Sequence, residues 1–456
     1  MAVSKETNRP RWVGRAVRLG VAVLAFIVIV NLPVAIPPLQ LRVLAIVVVA
    51  AILWFSEALP LFVTSLLVPV LLAFSTDLKP EQLFTPFFDP IVALFFASFV
   101  LAVALSKYEL DHKAAAFAFR ILGNSSRKLL LGLMIVVALI GMWLTNTATV
   151  AFMLPIFLLL IRTNKLETRA PNLMKSMLLG LAVATSLDGL ATIIGTPPNA
   201  IAVKFLAEQG ITIDFFDWMK FGIPITFVML PLAWLILIAV FPPEIKKLKP
   251  VVLEKNHWSR QQLATLAILL GVLALWITQP LHGINTAVIG LMGVVFLYVT
   301  GLLKLSDLNK VSFATLILFG GGLVLGEAMI ATGVTDLIAG VFVDVVGQQS
   351  EPVLLISVMG LAAVLTAFAS NTAVAALLIP IIVSIASATG LAAAPLVLGT
   401  TLALSIDVIS PVGTPPSAMV YGTGRLRVAD FLRAGFLITI IGLLVVFAAV
   451  SWLVAK

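Results

Sequence analysis

The sequence predicts an all-α polytopic membrane protein built from inverted-topology repeats, with about 11 transmembrane helices, two re-entrant hairpins and two broken helices. Of its 456 residues, 61% are apolar and 11% are charged, whereas a soluble domain carries about 25% charged residues. Many apolar stretches approach the roughly 20 residues that span a bilayer. Two polar phrases also occur twice each within this apolar sequence, which indicates a duplicated architecture.

The paired phrases lie in the same order in both halves of the chain. Thr-Asn-Thr-Ala-Thr at 145–149 matches Ser-Asn-Thr-Ala-Val at 370–374. Gly-Thr-Pro-Pro-Asn-Ala at 195–200 matches Gly-Thr-Pro-Pro-Ser-Ala at 413–418. Polar residues are rare inside membranes and mark functional sites, so the phrases predict a binding site at a repeat interface.

The remaining apolar runs predict conventional spans. These are expected at 19–37, 41–58, 60–76, 88–107, 219–241, 261–279, 283–303, 313–331 and 434–454. Two partly apolar stretches, 111–125 and 334–346, predict helices that lie at the membrane interface.

The first asparagine phrase predicts a re-entrant hairpin. Its apolar arms, 129–144 and 148–161, are short for a full crossing. Basic residues flank both outer ends, including Arg127 and Arg162, and basic loops face the cytoplasm. We therefore expect this hairpin to enter from the cytoplasm with Asn146 at its tip.

The second asparagine phrase predicts a hairpin that enters from the other side. Its arms are 352–369 and 373–388, its tip is Asn371, and its flanks are acidic at Asp344 and Glu351. An odd number of crossings separates the two hairpins, so the repeats are expected to have inverted topology.

This organisation predicts a scaffold and a transport domain, each with two parts. The expected divisions are an N-terminal tail with scaffold helices at 1–125, a first transport half at 126–243, scaffold helices at 244–350 and a second transport half at 351–456. Lys and Arg concentrate in loops of one side, which places the N-terminus in the cytoplasm and the chain in the cell inner (plasma) membrane. The scattered basic residues do not suggest nucleic acid binding.

The Gly-Thr-Pro-Pro phrases predict helices that break inside the membrane. Helices at 173–206 and 395–423 are expected to be interrupted at Gly195 and Gly413, because proline prevents regular helical bonding and glycine permits unusual backbone angles. Helix N-termini suit an anion, whereas free carbonyls and hydroxyls suit a small cation. Thr147 and Thr372 are expected to start the returning helices of the hairpins, and Thr196 and Thr414 the second halves of the broken helices.

Other interpretations of these polar residues remain open. Each asparagine alone could be a helix cap or a polar contact between helices. Asp188 and Asp407 occupy matching helices and invite three interpretations: support of cation sites from behind, a hydrogen-bonded structural role, or the pair of an intramembrane aspartyl protease. Glu57 and Glu327 favour a structural role, with proton coupling as the alternative.

Together with Trp54-Phe-Ser-Glu-Ala-Leu-Pro60, the paired phrases resemble the divalent anion/sodium symporter family over nearly the whole chain. The resemblance implies a homodimer that works as an elevator with sodium ions as the coupled cations. It implies sodium ligands at Thr145, Asn146 and Gly195 in one site, and at Thr366, Ser370, Asn371 and Gly413 in the other. It implies substrate contacts at Asn146, Thr147, Thr196, Pro197, Asn371, Thr372, Thr414 and Pro415.

One departure from the family concerns the first cation site. Gly141 stands where the second repeat has Thr366, so a side-chain oxygen is missing there. The resemblance implies a transporter rather than an enzyme, with sodium-coupled symport of C4-dicarboxylates such as succinate, malate or fumarate. The alternatives are a sodium-independent dicarboxylate exchanger and a sodium-coupled sulfate or tricarboxylate carrier. An anion channel and the aspartyl protease are alternatives of other classes.

Overall fold

The structure is a computed structural model that describes residues 11–110, 113, 124–249, 258–347, 349–411 and 413–454. All regular secondary structure in these residues is helical, as the sequence predicts. Nine of the described helices are long and apolar enough to cross a membrane. Three further apolar helices are shorter, at 12 to 15 residues. Most of the predicted interfacial helix at 111–125 lies outside the described residues.

The main helices follow the predicted order. They are α1 (Arg11–Val30), α2 (Pro38–Ser56), α3 (Leu61–Ser75), α4 (Pro90–Lys107), α5 (Ser126–Gly141), α6 (Asn146–Thr163), α7 (Pro171–Leu187), α8 (Pro197–Glu208), α9 (Phe215–Val240), α10 (Arg260–Ile277), α11 (Thr286–Val299), α12 (Phe313–Ala331), α13 (Val334–Val346), α14 (Glu351–Thr366), α15 (Asn371–Thr389), α16 (Ala393–Leu404), α17 (Pro415–Tyr421) and α18 (Val428–Val454). Short helices at Pro80–Phe84, Leu166–Arg169 and Gln279–His282 connect some of them.

One order of elements occurs twice. Helices α5 and α6 form the first hairpin, α7 and α8 the first broken helix, and α9 a long helix behind them. Helices α14 to α18 repeat this order, and both predicted broken helices are confirmed.

Both breaks are longer than predicted. Helix α7 ends at Leu187 and α16 ends at Leu404, well before the glycines expected to interrupt them. Side chains of the following long helix bind the carbonyls that lack a helical partner: Thr226 donates to Leu187 O at 3.1 Å, and Thr439 donates to Ile406 O at 3.1 Å. These bonds replace helical partners, because buried backbone oxygens must be satisfied inside a membrane. The positions of the prolines carry no signal for such distant hydrogen-bond partners, so the early helix ends were not predictable from them.

The two repeats are intertwined. Helix α8 of the first repeat packs against α15, the returning arm of the second hairpin. Helix α17 of the second repeat packs against α6, the returning arm of the first hairpin. The break in each repeat therefore lies beside the hairpin of the other repeat.

Candidate cation and anion site

The first hairpin tip is closed by its own threonines. The Thr145 hydroxyl accepts a hydrogen bond from the Ala148 N–H at 3.3 Å, and Thr149 donates to Thr145 O at 3.2 Å. Helix α6 consequently begins at Asn146, one residue earlier than predicted, with Thr147 exposed in its first turn. This capping leaves the Asn146 side chain free to face the broken helix.

The first break is joined to the first hairpin by side-chain hydrogen bonds. Asn199 donates to Gly189 O at 2.7 Å and to Thr192 O at 2.8 Å, which folds the break onto the start of α8. Thr192 donates in turn to Met142 O at 2.7 Å in the hairpin. A side chain at Gly195 would place Cβ 2.8 Å from Gly189 O, so this close approach requires glycine.

Asn371 links the second hairpin to the second broken helix. Its amide nitrogen donates to Leu404 O at 2.7 Å, the last residue of α16. Its amide oxygen accepts a hydrogen bond from the Thr366 hydroxyl, one turn earlier in the hairpin. Ser370 immediately precedes α15, and Thr372 is buried in its first turn. Both amide functions of Asn371 are therefore used within the second repeat.

The second break ends at a helix whose N-terminus is capped by Thr414. Thr414 accepts a hydrogen bond from Ser417 N–H at 3.3 Å and donates to the Ser417 hydroxyl at 3.0 Å. Pro415 occupies the first helical position, where its missing N–H costs nothing. In the first repeat, Thr196 precedes α8 and Pro197 begins it.

Four helix N-termini start at the tips and breaks. Helices α6, α8 and α15 have 18, 12 and 19 residues, and their free N–H groups and dipoles favour an anion. Helix α17 has only seven residues, so its dipole is weaker. Packing of α8 on α15 and of α17 on α6 brings each of these broken-helix halves beside the hairpin of the other repeat.

Both intramembrane aspartates lie in the breaks, immediately after the carbonyls held by the long helices. Asp188 is completely buried and Asp407 is 2% exposed. Among the described residues, neither carboxylate oxygen of Asp188 has a hydrogen-bond partner. One oxygen of Asp407 accepts from Ile409 N–H at 3.3 Å, and the other is unpartnered. A purely hydrogen-bonded structural role does not describe Asp188.

Two polar residues of this region, Asn199 and Lys204, were not predicted from the sequence. Asn199 lies inside a quoted phrase, and its counterpart Ser417 is also polar, which was the available signal. Lys204 on α8 forms ion pairs with Asp89 at 2.9 Å, Glu208 at 3.2 Å and Glu327 at 3.5 Å. Only the i,i+4 pair with Glu208 could be predicted from spacing.

Glu57 and Glu327 differ in their surroundings. Glu57 follows α2 in a left-handed conformation with φ of 49°, so it ends the helix. Glu327 lies on α12 and takes part in the Lys204 cluster. Both observations agree with structural roles.

Paired hairpins and broken helices, with polar residues at every interruption, define a membrane transporter of the secondary type. Residues 11–455 match the family model described as the sodium:sulfate symporter transmembrane region, and the chain belongs to this family. Its relatives are transporters, so the chain is a transporter and not an enzyme, which removes the aspartyl protease interpretation.

The chain is similar to several known proteins over most of its length. It is 30% identical over 418 residues to an uncharacterized transporter of Haemophilus influenzae, covering 88% of this chain and 89% of the relative. It is 29% identical over 487 residues to the sodium-dependent dicarboxylate transporter SdcS of Staphylococcus saprophyticus, covering 99% and 93%. The crystal structure of the Alcanivorax borkumensis YdaH transporter has a TM-score of 0.63 at 16% identity, covering 90% of this chain and 98% of that one. This likeness confirms the fold.

Proposed function

We propose that the protein couples sodium entry to the import of C4-dicarboxylates such as succinate, malate or fumarate. The observation that carries this proposal is the charge of the site: the tips and breaks at 141–149, 188–200, 366–374 and 405–418 contain no Lys or Arg. A dianion bound there depends on helix N-termini, amides and hydroxyls, and on cations that bind with it. Similarity to the S. saprophyticus dicarboxylate transporter supports the choice of substrate.

The proposed ligands follow from the two tips and breaks. Sodium, as a transported ion, would bind Thr145, Asn146 and the backbone near Gly195 in the first repeat, and Thr366, Ser370, Asn371 and the backbone near Gly413 in the second. The substrate carboxylates would contact Asn146, Thr147, Asn371 and Thr372, with Thr196, Pro197, Thr414 and Pro415 beside them. Oxygen ligands of this kind suit a small hard cation.

Uptake into proteoliposomes tests the proposed function. Labelled succinate should accumulate when an inward sodium gradient is imposed, and accumulation should vanish when choline replaces sodium. Uptake without sodium that requires internal dicarboxylate would instead identify an exchanger. Unlabelled sulfate or citrate that competes better than succinate would identify the sulfate or tricarboxylate carrier, and non-saturating flux would identify a channel.

An elevator movement is supported by the surface between the proposed scaffold and transport domains. Helix α12 of the scaffold carries Gly322 and Gly326 on the face that meets the transport domain. A Cβ at Gly322 would lie 2.7 Å from Ala376 Cβ. A Cβ at Gly326 would lie 2.5 Å from Phe205 Cζ. Glycines on α12 let the Ala376 methyl group and the Phe205 ring approach its backbone closely. We propose that residues 126–243 and 351–456 move along this surface, within a homodimer.

The Lys204 ion pairs cross this same boundary, because Asp89 and Glu327 belong to the proposed scaffold. Lys204→Met should lower the maximal uptake rate about three- to tenfold and leave the apparent substrate affinity unchanged, since partly buried carboxylates would lose their partner. Initial rates across a succinate series measure both quantities. Lys220→Met is the matched control, because Lys220 is exposed and its ion pair with Asp217 and its contact with the Phe216 ring both lie within its own helix.

Removing the opposing charges checks the cause of the Lys204 effect. Adding Asp89→Asn and Glu327→Gln to Lys204→Met should recover part of the lost rate. A Lys204→Met rate equal to that of the unmodified protein would contradict a role for these ion pairs in the transport cycle.

A further inference from the structure

The two hairpins differ at one equivalent position. In the second repeat, Thr366 stands five residues before the tip asparagine, and its hydroxyl donates to the amide oxygen of Asn371. In the first repeat, Gly141 stands at that position and offers no hydroxyl. The amide oxygen of Asn146 has no hydrogen-bond partner among the described residues.

The Asp188 carboxylate fills the space that a side chain at Gly141 would need. A Cβ built on Gly141 would lie 1.7 Å from Asp188 Oδ2 and 3.1 Å from Oδ1. The carboxylate therefore contacts the backbone of the first hairpin directly, where the second repeat has a hydroxyl. The Asn146 amide lies beside Gly189, the residue that follows Asp188: a Cβ built on Gly189 would lie 3.5 Å from the amide nitrogen.

Three buried hydrogen-bond acceptors in this region have no donor among the described residues: both Asp188 oxygens and the amide oxygen of Asn146. Buried acceptors without partners are costly, and an unpaired buried carboxylate is more costly still. A small cation bound beside Asp188 would give such acceptors a partner. A donor side chain at position 141 cannot supply that partner, because the Asp188 carboxylate occupies the space that the side chain would need.

We propose that Asp188 is a direct ligand of the cation in the first repeat, in place of the hydroxyl that Gly141 lacks. This inference rests on the proposed function and deepens it. The first site then has an anionic ligand, and the cation it takes is a small monovalent one such as sodium. Asp407 also has one unpartnered oxygen, which lies 2.1 Å from a Cβ built on Gly413. It differs because Ile409 N–H occupies its other oxygen and Thr366 already donates to the Asn371 oxygen.

Sodium binding in the absence of substrate tests this assignment. Thermal unfolding of the purified full-length protein is followed as NaCl replaces choline chloride at constant ionic strength, with KCl as a second reference. Sodium should raise the unfolding temperature of the unmodified protein. Asp188→Asn should raise the sodium concentration at half-maximal shift by about tenfold or more, as expected for loss of one charge-assisted contact.

Two further variants separate ligand loss from misfolding. Gly141→Ala keeps the charge but displaces the carboxylate, and should weaken sodium binding in the same direction. The double variant Gly141→Ser with Asp188→Gly supplies a hydroxyl and frees its space, and should bind sodium better than Asp188→Asn. Asp307→Asn is the control for removing a buried carboxylate, since Asp307 pairs with Lys107 on the scaffold at 2.7 Å; its sodium midpoint should not change.

The outcomes distinguish this inference from the proposed function. If the unmodified protein responds to sodium and both Asp188→Asn and Gly141→Ala keep its midpoint, Asp188 is not a ligand and sodium coupling stands. If Asp188→Asn does not fold, an unchanged midpoint in Gly141→Ala overturns the assignment alone. If the unmodified protein shows no shift specific to sodium, the proposed sodium coupling fails together with the assignment.

Discussion

Asn371→Ala should abolish sodium-driven succinate uptake while the protein still folds. The Asn371 side chain donates to Leu404 O and accepts from Thr366, so one residue joins the second hairpin to the second broken helix. It is also the proposed contact of both sodium and substrate. Each hydrogen bond to a charged group is worth about 1.5–3 kcal/mol, so the loss of two or more lowers binding at least a hundredfold.

The experiment compares initial uptake rates, size-exclusion profiles and unfolding temperatures. Asn146→Ala should have the same effect through the first repeat. Asn31→Ala is the matched control, because Asn31 is exposed just after α1 and its side-chain amide donates to Ile27 O of that helix; it should transport normally. Normal uptake by either Asn371→Ala or Asn146→Ala would refute the assignment of the tips as the binding site.

Gly322→Leu should stop transport without stopping sodium binding. A Cβ at this position would lie 2.7 Å from Ala376 Cβ on α15, and the larger leucine would interlock the proposed scaffold with the proposed transport domain. We expect uptake to fall below detection, because the leucine side chain would block sliding as well as adding the overpacking cost of about 1–3 kcal/mol at a close helix contact. Uptake and the sodium-dependent thermal shift are measured on the same preparation.

Gly271→Leu is the control for this substitution. Gly271 lies on an exposed face of α10, with no atom within 4 Å of its added Cβ. A leucine there should leave uptake unchanged. If Gly322→Leu transported as fast as Gly271→Leu, the glycine face of α12 would not be the sliding surface.

The elements themselves were predictable because their signals are local. The two Asn-Thr phrases and the two Gly-Thr-Pro-Pro phrases lie where the structure has its hairpin turns and helix breaks. Thr196 and Thr414 directly precede new helices, since the prolines that follow them cannot continue an earlier one.

The relations between distant residues were not predictable in the same way. Contact of Asp188 with Gly141, and of Lys204 with Asp89, depends on the packing of separate helices and leaves no periodic signal in one sequence. The early ends of α7 and α16 depend on Thr226 and other donors of a later helix. The glycine at position 141 is visible in the sequence as a departure from the second repeat, but the Asp188 carboxylate beside it is visible only in three dimensions.

We propose that the intertwined tips and breaks form one site that holds the anion and sodium together. The chain contains no cysteine, so a single thiol can report on this site without background. Ala148 is half-exposed in the first turn of α6. The experiment begins by checking that the Ala148→Cys variant transports succinate. Its labelling by a membrane-impermeant thiol reagent should slow when sodium and succinate are present together, and not when choline replaces sodium. An equal labelling rate under every condition in this transport-competent variant would contradict the account.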